Sequence, residues 1–96
     1  MATIKQELDT LKKTNGLAKP TVHMNGTSKQ VLMDQLCNAI DAIHVAGNTL
    51  AAAYPNGRDY YPQGADAIHL AMNQHAARMA KLREVAEELR EIVESL

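Results

Sequence analysis

The sequence predicts an all-α chain, a short N-terminal helix followed by a long antiparallel helical hairpin. Three observations carry this. Two long stretches, 27–53 and 65–95, repeat apolar residues at steps of four and three, the period of one helix face. Between them, Tyr54 to Gly64 contains two of the three prolines and two of the five glycines, a run that a helix cannot cross. The apolar content is Leu, Ala, Ile, Val and Met, with three Tyr and no Trp or Phe, a composition suited to helix-on-helix packing.

Residues 3–14 read as the short helix. Thr3 and Gln6 fit a capping box, and Ile4, Leu8 and Leu11 form one stripe. Asn15-Gly16 supplies a left-handed stop. Residues 15–26 are a connector in which Pro20 biases Lys19 toward extended backbone, and Leu17, Val22 and Met24 are expected to tack the segment onto a surface.

The first long helix is expected over 27–53, with Thr27 as N-cap and Gln30 reaching back to complete a second capping box. Leu36, Ile40, Ile43, Gly47 and Leu50 form its stripe, with Cys37 beside it as a small core residue and Gly47 as a point of close packing. Residues 54–64 are the hairpin tip, with Asn56-Gly57 as a turn dipeptide whose residues tolerate positive φ. The second long helix is expected over 65–95, with Asp66 in its first turn. Ile68, Met72, His75, Met79, Leu82, Ala86, Leu89, Val93 and Leu96 keep a 4-3 repeat over four heptads. Glu84, Glu87, Glu88, Arg90, Glu91 and Glu94 occupy a solvated face. Residues 1–96 therefore make a single domain. A hairpin has one seam and little core, and the apolar face widens toward the C-terminus through Val85 and Ile92, so the chain is expected to assemble as a homo-oligomer.

Composition bounds the function. A formal net charge of −1 gives no basis for binding a nucleic-acid polymer. The charge is uneven: residues 1–30 carry five Lys against Glu7 and Asp9, whereas residues 64–96 carry four basic and six acidic groups. One cysteine excludes an internal disulfide and suits a reducing compartment. The polar start and the lack of a long apolar run predict no signal peptide, no membrane partner and a cytoplasmic location.

Two constellations carry chemistry. At Asn25-Gly26-Thr27-Ser28-Lys29, free backbone N–H groups, two hydroxyls and a lysine make a site suited to an anion or phosphate. Capping alone explains Thr27 and Gln30, but not Gly26 or Lys29. At the tip, Arg58 offers a planar fork for phosphate or carboxylate, and Tyr54, Tyr60 and Tyr61 offer faces for a base or for a protein surface. Lys12, Lys13 and Lys19 add positive charge to the N-terminal segment. The four histidines lack the spacing of a zinc-binding helix face, and His75 falls on the seam, where a polar residue fixes register. No nucleophile–base order, metal-ligand set or cofactor motif is evident, so no catalytic residue, metal or cofactor is expected.

With these residues in view, Ser28 to Leu89 resembles a family of small phage proteins that act as sponges for immune signalling nucleotides, the anti-CBASS and anti-Thoeris proteins with a helical-hairpin domain. The resemblance lies in an Ala/Ile-rich helix ending in a Pro-x-x-Arg-(Asp/Glu) tip, here Pro55-Asn56-Gly57-Arg58-Asp59, and in the Gly26-Thr27 pair that precedes the hairpin. The chain lacks a Trp that many members carry near the end of the second helix, and its Tyr60–Gly64 segment is longer than their tip. The resemblance implies a homo-oligomer, commonly a hexamer, acting in the host cytoplasm. It would bind cyclic di- or trinucleotides between subunits without cleaving them. On that reading Gly26, Thr27, Ser28, Lys29 and Arg58 meet phosphates, Tyr60 or Tyr61 stacks on a base, and Lys12 and Lys19 serve a second pocket. The alternative is a protein–protein inhibitor or adaptor, like small helical anti-CRISPR proteins, that uses the Tyr/Arg tip as its contact surface.

Overall fold

The computed structural model describes residues 16–96. The expected helix over 3–14, with Lys12 and Lys13, lies outside the described residues. Two α-helices, α1 (Lys29–Ala52) and α2 (Ala67–Ser95), form an antiparallel hairpin. At 1.5 Å per residue they are about 36 and 44 Å long. Among the described residues there is no strand. Among the described residues no helix is long and apolar enough to cross a membrane.

The seam follows the 4-3 repeat. Leu36, Ile43, Gly47 and Leu50 are half-buried on α1 and Ile40 is buried; on α2 Ile68, Met72, Met79, Leu82, Leu89 and Val93 are half-buried, and Ala71, His75 and Ala86 are buried. Those four are the buried residues among those described, and none has a fully enclosed large side chain. The hairpin is thin, as a single layer of two helices must be.

Several local expectations are corrected. Ser28, not Thr27, caps α1: its backbone is extended (φ −64°, ψ 153°) and its hydroxyl accepts from the Val31 N–H at 3.2 Å. The shift of one residue removes Gln30 from the position a capping box needs, and its amide instead donates to Asp34 at 2.8 Å, one turn along the helix. Cys37 is exposed, because one residue past Leu36 is a rotation of about 100° off the seam. Of the connector's apolar residues, Leu17 is half-buried while Val22 and Met24 face solvent, Met24 at 97% exposure. Gly47 is not a point of close approach within the chain, since a Cβ there would meet nothing within 4 Å. It borders a gap of about 130 Å³ facing Leu82 and Ala86, where two small residues leave the seam underfilled.

The tip is more regular than a loop. Two 3-10 turns, Gly57–Asp59 and Tyr61–Gln63, follow one another. Asn56-Gly57 does not use positive φ. Asn56 is extended and its carbonyl oxygen Oδ1 accepts from the Arg58 N–H at 3.0 Å, capping the first turn as an Asx motif does. The positive φ falls at Gly64 (φ 115°, ψ 165°), a region open essentially to glycine, where the chain turns from the second 3-10 turn into α2. Gly16 has φ 78°, the left-handed conformation expected of it. Asp66 occupies the cap position of α2 but in helical backbone (φ −90°, ψ −11°), which keeps its carboxylate from the first N–H groups, and the helix begins at Ala67 rather than 65.

Two glycines give opposite outcomes on replacement by alanine. Gly64→Ala has room for its Cβ but not for its φ, so it should destabilise the protein by about 1–3 kcal/mol. Gly47→Ala also has room, in ordinary helical backbone, and should stabilise by up to about 1 kcal/mol. Thermal melting of both variants beside the parent checks the pair, with a fall in Tm for the first and a rise for the second.

Candidate functional site

The polar start of α1 is built from a turn and a cap. His23-Met24-Asn25-Gly26 closes through the Gly26 N–H donating to the His23 carbonyl at 3.1 Å. The His23 ring folds back over Gly26, and a Cβ at that position would lie 2.8 Å from Nε2 of the imidazole. This contact explains the glycine without any anion. It also adds His23 to the cluster of Thr27, Ser28 and Lys29. His23, Thr27, Ser28 and Lys29 are all exposed.

At the other end of α1, Arg58 is exposed on the first 3-10 turn, and Tyr61, 75% exposed, opens the second. Tyr60 is half-buried. Tyr54, just beyond α1, stands edge-on to His75 of α2, with ring centroids 5.4 Å apart and an interplanar angle of 80°. An aromatic pair of this geometry holds the top of the seam beyond what its buried area contributes. His75 is 5% exposed, as a seam residue should be, while His23, His44 and His69 are exposed. Among the described residues no three His, Cys, Asp or Glu side chains gather as a metal site would require.

The sequence-predicted site residues therefore form two groups. Gly26, Thr27, Ser28 and Lys29 sit together at one end, and Arg58, Tyr60 and Tyr61 at the other. The 24 residues of α1 place about 36 Å between them, so one chain does not bring them to a common ligand. Lys19 is exposed on the connector. The cavity beside that connector, about 290 Å³ between Gly16, Leu17 and α2, is lined by Glu84, Glu87, Glu88 and Glu91, a wall that by itself repels phosphate.

A further concavity is one the sequence reading did not anticipate. A groove of about 400 Å³ runs beneath the tip, between the ends of α1 and α2, with Tyr60, Gln63, Leu70, Gln74, His75 and Arg78 among its walls. Its signal in the sequence is the spacing of Leu70, Gln74 and Arg78 at i, i+4 and i+8, which stacks them on one ridge of α2. The part the sequence does not reveal is the other wall, because that depends on how the 3-10 turns fold back.

Comparison with known proteins adds no neighbour: no family model, no curated protein and no solved structure matches the chain.

The capping assignment is testable without any ligand. Ser28→Ala should cost about 1 kcal/mol, a fall of roughly 4–8 °C in Tm for a domain of this size. Thr27→Ala should change Tm little. The reverse order would return the cap to Thr27.

Proposed function

We propose that the protein is a phage-type immune-evasion protein that sequesters cyclic oligonucleotide signals in the host cytoplasm, as a homo-oligomer and without cleaving them. The observation that carries this reading is the separation of the two anion-suited ends of α1 on a hairpin that cannot enclose a core. A polar helix start and an Arg/Tyr tip about 36 Å apart serve one ligand only if the tip of one copy meets the helix start of another. An isologous antiparallel pair does this twice by symmetry.

The physical need for further copies supports the same arrangement. Among the described residues only Ile40, Ala71, His75 and Ala86 are buried, so the hairpin leaves most of its apolar seam residues partly open, a surface that further copies would cover. The face of α1 turned away from the seam presents Val31, Asn38, Val45 and Thr49 with two charges, Asp34 and Asp41, among them, whereas the outer face of α2 is heavily charged. The exposed Val31 and Val45 suit contact with a partner helix.

In such a site the ligand's phosphates meet Gly26, Thr27, Ser28, Lys29 and Arg58, and Tyr61 stacks on a base. A second reading, a protein-binding inhibitor or adaptor, is favoured by one observation: Arg58 and Tyr61 stand exposed at the end of the molecule, the residue types that anchor protein interfaces.

Calorimetry of the full chain against cyclic di- and trinucleotides, with light scattering on the same sample, tests the proposal. Sequestration predicts an oligomer, tight binding, and intact ligand recovered on denaturation. Arg58→Ala should weaken binding by about 10- to 150-fold, the loss of one charge-assisted hydrogen bond. A folded oligomer that gives no heat with any of these ligands overturns the reading in favour of a protein partner.

A further inference from the structure

We propose that the groove beneath the tip is a separate nucleotide site, taking one purine base with its phosphate on Arg78. The floor is made by Ala71, which is buried and ends at its Cβ, and by the buried edge of His75. Because Ala67, Ala71 and His75 lie at i, i+4 and i+8, the small residues open the groove and the imidazole closes its lower end. Along the rim, Leu70 is 60% exposed, an apolar side chain open to solvent. Gln74 and Arg78 follow it on the same ridge, both exposed.

The facing wall is the second 3-10 turn. The Gln63 N–H donates to the Tyr60 carbonyl at 2.9 Å and the Gly64 N–H to the Tyr61 carbonyl at 3.1 Å, so Tyr60 and Gln63 are carried on a short hydrogen-bonded turn. The groove thus offers an apolar strip, one aromatic wall, two side-chain amides and one guanidinium within about 400 Å³, the range of small-ligand sites. A carboxamide pairs a donor with an acceptor, the pattern that matches the N6/N7 edge of adenine. A guanidinium matches phosphate. No carboxylate lines the groove, in contrast to the glutamate-lined cavity near the connector.

This site does not rest on the sequestration reading, since it lies within one hairpin and uses neither Arg58 nor the start of α1. The probe is adenosine 5′-monophosphate, titrated into the 15N-labelled full chain and followed by NMR. Saturable shifts are expected at the side-chain amides of Gln63 and Gln74 and at the backbone of Leu70, with Thr27 and Lys29 unmoved. Arg78→Ala should weaken the binding at least tenfold, and Leu70→Trp should abolish it by filling the groove. Both positions are exposed, and circular dichroism verifies that the helices persist. Shifts confined to Thr27–Lys29, no shifts at all, or affinity unchanged in Arg78→Ala overturn the proposal. A groove closed by a second copy of the chain also gives no shifts and counts against it. If the groove fails while cyclic oligonucleotides still bind, the sequestration reading stands; if the monophosphate binds and the cyclic ligands do not, only the groove stands.

Discussion

The structure depends on a single apolar seam that two helices must share. A helix pair has only one interface, and most residues on it remain partly open to solvent. This is why seam residues as large as Leu36, Ile43 and Leu82 remain half-buried and only Ile40, Ala71, His75 and Ala86 are enclosed. Everything else follows from that limit. The 4-3 spacing must be sustained over four heptads because each contact is weak. The aromatic contact of Tyr54 with His75 closes one end of the seam. The exposed Val31 and Val45 of α1 have no cover among the described residues.

How far the sequence could be read divides along the same line. The two helices, their seam residues and the position of the tip were legible because periodicity is a local property of the chain, and His75 was correctly placed on the seam by its heptad position. The N-terminal boundary of α1 was misplaced by one residue because Thr27 and Ser28 are both competent caps, and backbone geometry chooses between them. Cys37 was misjudged because adjacency to Leu36 in sequence is distance around a helix. Gly47 was misjudged for a different reason: a glycine on a seam has the same sequence signature whether it admits a close neighbour or leaves a gap. The tip groove was invisible. Half of it is a helical ridge that a wheel reveals, but the other half is a pair of 3-10 turns whose path depends on Asn56 acting as a cap and Gly64 taking positive φ.

The polar clusters show why a motif is weaker than a site. Gly26 has a sufficient explanation in the His23 ring, and Ser28 in its cap. What neither contact requires is the adjacent Lys29, or the exposed Arg58 at the far end of the same helix. The rigidity of α1 is what gives that pair meaning. A straight helix without proline fixes the distance and relative orientation of its ends, so the two clusters can be matched between copies only by a defined stacking of hairpins.

The tip hydrogen bonds have a consequence for how the chain folds. Asp59 to Asn56, Tyr60 to Gly57, Gln63 to Tyr60, Gly64 to Tyr61 and Ala67 to Gly64 each join residues three apart. The reversal is therefore encoded in contacts of very short sequence separation, with little chain entropy lost in closing them. Contacts of that kind form fast, and the seam residues nearest the tip are the next to meet. The hairpin is arranged to zip from its closed end toward its open one. The start of α1 and the end of α2, farthest along the chain from the tip, close the longest loop and are the last parts of the described chain to meet.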